Sequence, residues 1–93
     1  YWVMRANKIM PKDLIDLAQG RFKLWHLKDM DKITKDYTEL GYGSIDYSEV
    51  LPNPVISGLE YYYLEQGGNY KINSMDSAKK SIDFFKKKIQ KLI

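Results

Sequence analysis

The sequence predicts an α/β fold in which short parallel strands alternate with helices. Strand-type runs such as "FKLWHL" (22–27) and "EYYYLE" (60–65) are interleaved with segments that carry helix start and stop signals. Strands separated by helices pair in parallel through right-handed crossovers. One apolar stripe along residues 78–92 supplies a helix to cover the sheet.

Residues 1–4, in "YWVMRAN", are half-buried, strand-forming types and are expected to end a strand. Pro11 suits the first turn of a helix whose apolar face is Leu14, Ile15, Leu17 and Ala18, and Gly20 offers its stop. "FKLWHL" is the second strand, and its alternation sends Trp25 to the helix-facing side, opposite Leu24 and His26. From about Asp29 to Ile45, through "ELGYGSID", a long irregular segment is expected. Asp46 and Glu49 have the spacing of a capping box. Pro52 and Pro54 each remove a backbone donor and collide with the preceding turn, so one short turn, a break and a second turn before Gly58 are predicted. "EYYYLEQGG" is the third strand, with Tyr61, Tyr62 and Tyr63 packing alternately into the two sides of the sheet. Ala78, Ile82, Phe85, Ile89 and Leu92 then form the stripe of a final helix capped by Ser74 or Asp76, while Lys79, Lys80, Lys86, Lys87 and Lys91 mostly face away. Three parallel strands leave two bare edges and an uncovered face. Further strands beyond these 93 residues are therefore expected, and the exposed edges allow association, including a homo-oligomer.

A chain that is 44% hydrophobic and 29% charged is an ordinary globular one, which excludes disorder as the basis of function. There is no cysteine, so disulfides and thiolate metal sites are excluded. No run approaches the roughly 18 apolar residues of a membrane span, and no signal peptide is visible. A cytoplasmic protein is expected, with export left open. The net charge of +3 comes largely from "KKSIDFFKKKIQK". Lysines solvated on the outer face of a terminal helix explain it more simply than a nucleic-acid or membrane partner, and neither partner is expected.

The single histidine, His26, closes the second strand, and Glu65 closes the third. In parallel sheets and (β/α) barrels ligands bind beyond the carboxyl ends of the strands, where the loops converge. An imidazole and a carboxylate brought to one mouth suit a divalent ion such as manganese, magnesium, cobalt or zinc. A usable site needs further ligands. A histidine hydrogen-bonded at a strand end and an exposed acid are the plain alternatives. The G-x-G at Gly41–Gly43 lacks the helix placement of a dinucleotide fingerprint and marks a turn, and Glu39 beside it reads as an exposed acid, with a place at the mouth as the alternative.

"WHLKDMD", "TELGYGSIDYSEVL" and "GLEYYYLEQ" together resemble, in order and spacing, the end of the sugar phosphate isomerase/epimerase family, the xylose-isomerase-like TIM barrels. The resemblance covers essentially all 93 residues. It implies the C-terminal part of a single (β/α)8 barrel domain, about three βα units, with parallel strands inside and helices outside. It also implies a metal-dependent isomerase or epimerase that moves a proton on the carbon beside a sugar carbonyl. His26 matches the family's histidine ligand. Glu65 matches its last glutamate, both ligand and acid/base group, and the remaining aspartate and glutamate ligands would lie upstream. Lys28 and Asp29 match the family's H-x-K-D pattern, in which they orient His26 or touch substrate hydroxyls. Trp2, near such a mouth, would stack on a sugar.

Two departures stand out. The Pro52 and Pro54 pair falls where relatives run a continuous helix. Trp2 stands where abasic-site endonucleases of the same scaffold carry another histidine, which disfavours DNA cleavage. Lyase or dehydratase chemistry on the scaffold, and a non-catalytic α/β module that binds through its lysine-rich helix, are the other readings.

Overall fold

The computed structural model describes residues 1–93 as a mixed α/β structure. In chain order its elements are α1 (Trp2–Ala6), α2 (Pro11–Leu17), β1 (Leu24–Leu27), β2 (Asp29–Met30), β3 (Tyr37–Thr38), α3 (Tyr47–Val50), α4 (Pro54–Ser57), β4 (Tyr61–Leu64) and α5 (Ser74–Phe84). A π-helical turn, Phe85–Ile89, and a 3-10 turn, Gln90–Leu92, extend α5.

The two aromatic-aliphatic runs find each other as a parallel pair. β1 lies beside β4 with Leu24 opposite Tyr61, His26 opposite Tyr63 and Leu27 opposite Leu64. Strand alternation gives this pair two unlike faces. Trp25 and Leu27 point to the covered face and are buried in a cluster with Met30, Leu40, Ile45, Tyr47, Val50, Phe85 and Ile89. Leu24, His26, Tyr61 and Tyr63 point to the other face and stay exposed.

The helix breaks follow the local chemistry. Pro11 opens α2, and Gly20 turns the chain at φ +77°. Asp46 caps α3 by accepting from the Ser48 N–H, and the chain leaves the helix at Leu51, just before Pro52. Asn53 then caps a second turn that starts on Pro54 and ends at Gly58 in the left-handed region. That second turn places Ser57 under the sheet. Its hydroxyl accepts from the Trp25 indole N–H at 2.8 Å and donates to the Phe22 carbonyl at 2.5 Å.

Five expectations are corrected. Residues 1–4 are not a strand: they enter α1, where the Arg5 N–H bonds the Tyr1 carbonyl at 2.8 Å and Asn7 at φ 51° ends the turn. Local bonds thus satisfy this backbone. An apolar groove of about 200 Å³, lined in part by Tyr1, Met4, Leu14 and Ile15, runs along β1. The segment 29–45 is not wholly irregular, because β2 and β3 form a small antiparallel ladder. Asn73, not Ser74 or Asp76, caps α5, by accepting from the Asp76 N–H. The buried stripe of the last helix is Ser77, Ser81, Phe85 and Ile89, while Ala78, Ile82 and Leu92 are exposed. Tyr61 and Tyr63 are not core residues, since nothing covers their face of the sheet; Tyr62, on the other face, packs on Phe85. No helix is long and apolar enough to cross a membrane.

Candidate functional site

The site is built by parity and register. His26 is opposite Tyr63 and Leu27 opposite Leu64, so continuing the register two residues past His26 sets Lys28 across from Glu65, with the Glu65 N–H bonded to the Leu27 carbonyl at 3.0 Å. Lys28 shares its parity with His26, and Glu65 with Tyr63. All four side chains therefore emerge on one face at the carboxyl ends of the two strands.

Their contacts are close. His26 Nδ1 lies 2.5 Å from Glu65 Oε2, and Lys28 Nζ lies 2.8 Å from Glu65 Oε1. The Lys28 ammonium beside Glu65 and the hydrogen bond from His26 hold the Glu65 carboxyl below the usual carboxylate range, against a smaller opposing effect of burial. An ionised carboxylate only accepts, so Nδ1 carries the hydrogen, and in the neutral ring Nε2 keeps its lone pair on the far side. The Tyr63 ring stacks on the imidazole, with centroids 5.1 Å apart and planes at 30°. Lys28 is buried beneath this assembly, its ammonium 5.4 Å from the centre of the Tyr37 ring.

His26, Glu65 and Lys28 are thus brought together, whereas Asp29 and Trp2 are not. Asp29 was expected to orient His26 or touch substrate. Its buried carboxylate instead accepts from four backbone N–H groups, those of Met30, Gly41, Gly43 and Ile45, at 2.8–3.1 Å. Residue 29 has the parity opposite to residues 26 and 28, which sends its side chain into the loop. Trp2 sits on α1, exposed, edge-on to Tyr1 and Tyr37 rather than stacked at a strand end.

The Gly41–Gly43 loop owes its glycines to this packing. Gly41 has φ +90°, and a side chain there would run into the Phe84 ring. One at Gly43 would run into the Asp29 carboxylate.

Glu39 is the second buried acid, and it corrects the reading of an exposed one. It accepts from Ser77 Oγ at 2.8 Å, the Lys71 N–H at 3.1 Å and Thr38 Oγ at 3.1 Å. Burial disfavours its charge, but the donors from Ser77, the backbone and Thr38 outweigh it and bring its pKa down to about 2. Nothing in the linear pattern of "YTELG" marks this carboxylate as buried. Tyr63 was also missed as a partner of His26, although strand register predicts it once the pairing is known.

His26 and Glu65 have the donor types for a divalent ion, and they fit as two of its ligands only through Nδ1 and Oε2, in place of the hydrogen between them, because Nε2 points away from the carboxylate. No group of three or more His, Cys, Asp or Glu side chains comes together in this chain. No family model, curated protein or solved structure matches the sequence.

Proposed function

We propose that this chain forms the C-terminal βα units of a (β/α)8 barrel and supplies two ligands, His26 and Glu65, to the divalent-metal site of a sugar or sugar phosphate isomerase or epimerase. The observation that carries this reading is the meeting of His26 Nδ1 and Glu65 Oε2 at 2.5 Å, on one face at the carboxyl-terminal side of two adjacent parallel strands. The open face bearing Leu24, His26, Tyr61 and Tyr63 is the side that further strands would enclose.

When bound, the ion polarises the substrate's carbonyl and hydroxyl oxygens. Glu65, kept ionised by Lys28, is the base for the proton on the carbon beside the carbonyl. Lys28 engages one carboxylate oxygen and leaves the other toward His26. His26 Nδ1 and Glu65 Oε2 would hold the ion in place of the hydrogen they share. Under this reading an aspartate and a second glutamate from other strands complete the ligand set.

The test is the manganese or cobalt content of the protein, measured together with ketose–aldose interconversion. His26→Ala is expected to lower bound metal at least ten-fold, in the range by which metal-shell substitutions act. Unchanged metal content would end the proposal. Neutralising Lys86, Lys87 and Lys88 is expected to leave both readouts intact, whereas their loss would favour binding through the basic helix.

A further inference from the structure

The imidazole of His26 is the most exposed member of its cluster, with half of its side chain in solvent. An exposed histidine on a strand samples several rotamers unless something holds its plane. Glu65 fixes one edge of the ring through Nδ1, yet a single hydrogen bond leaves the ring free to swing about that contact. The face of the ring is held by one other group, the Tyr63 side chain stacked at 5.1 Å and 30°.

Tyr63 has features suited to that task. It is the direct cross-strand partner of His26 in the parallel pair, so the backbone register delivers its ring to the imidazole. Its ring is about half exposed and its hydroxyl makes no hydrogen bond in the structure. It sits two residues before Glu65 on the same face, so one strand carries both the group that holds the imidazole's edge and the group that holds its plane.

We infer that Tyr63 is a positioning residue for His26, its aromatic ring holding the imidazole plane so that Nδ1 stays directed at Glu65. The inference extends the metal-site reading above, and part of its test is independent of metal. Because the contact is made by the ring and not the hydroxyl, phenylalanine serves equally well and an aliphatic residue does not.

The experiment uses the protein together with the strands that would carry the remaining ligands, as wild type and as the variants Tyr63→Leu and Tyr63→Phe. Long-range 1H–15N spectra of the metal-free protein report the His26 tautomer. Wild type and Tyr63→Phe are expected to show one tautomer, protonated at Nδ1, and Tyr63→Leu a mixture with loss of the ring-current shift on the imidazole protons. Cobalt titration is expected to show affinity reduced roughly ten-fold or more in Tyr63→Leu, the scale typical of residues that orient a ligand, and unchanged in Tyr63→Phe. Circular dichroism separates this from misfolding, since a merely structural role would move the fold of Tyr63→Leu and not the tautomer of a folded protein. A folded Tyr63→Leu with the wild-type tautomer, or a Tyr63→Phe that behaves like Tyr63→Leu, overturns the inference. Wild type that binds no cobalt while Tyr63→Leu still loses its single tautomer overturns the metal-ligand reading of His26 and leaves the positioning by Tyr63 standing.

Discussion

At the scale of single residues, the three acids Asp29, Glu39 and Glu65 have three different fates, set by what surrounds them. Asp29 gathers four amide donors of the loop, and hydrogen bonds to a charged group are each worth about 1.5–3 kcal/mol. Asp29→Ala leaves those donors without their acceptor. A loss of about 3 kcal/mol or more is expected, read as a lower urea midpoint. Glu39 yields a pH prediction. Its folded pKa of about 2 lies below the usual 4.5, so its contribution is complete above about pH 4.5 and is lost as the pH falls toward 2. The thermal midpoint of wild type should drop across that window, and Glu39→Gln should lack that part of the drop. Neither role was legible in the sequence, because burial of an acid depends on which donors the fold delivers to it. The placing of His26 and Glu65 toward the carboxyl side of two strands was legible, since the runs that carry them read as strands from their own residues.

At the scale of elements, the breaks were readable and the short ladders were not. Pro52, Asn53, Pro54 and Gly58 each act through their own backbone geometry, and the interrupted helix follows from them. Asn53→Ala removes the oxygen that accepts from Val55 and Ile56. It is expected to cost about 1 kcal/mol, seen as a lower melting temperature, with Asn53→Asp close to wild type. The β2–β3 pair has two residues per strand, too few for any periodicity to register. The last helix shows how packing alters a readable pattern. Its buried positions 77, 81, 85 and 89 recur every four residues, whereas an α-helix turns once in about 3.6, so the stripe drifts by about 40° at each step. The wider π-helical turn at Phe85–Ile89 offsets that drift and keeps Phe85 and Ile89 on the core. Ser77 and Ser81 occupy the first two positions of the same stripe, because the loop carrying Glu39 and Leu40 meets the helix there with polar groups.

At the scale of the whole molecule, seventeen of 93 residues are buried, so stability rests on one side of a two-stranded sheet. The other side presents Leu24, Tyr61 and Tyr63 to solvent beside His26. Exposed apolar surface on a sheet with free edges drives association. The chain is expected to sediment increasingly as a self-associated species as its concentration rises. The double variant Leu24→Lys, Tyr61→Lys should remain closer to a monomer in analytical ultracentrifugation. The sequence by itself determined strands at "LWHL" and "YYYL" paired in parallel, the proline break between them and the parity that sets Trp25 opposite His26, because each depends on a few adjacent residues and the backbone's fixed periods. Only the tertiary structure decided that Tyr1–Met4 enters a helix, that Asp29 turns inward to its loop, that Glu39 is buried as an anion and that Tyr63 meets the imidazole, because these depend on which distant donors, rings and strand edges are brought within a few ångströms.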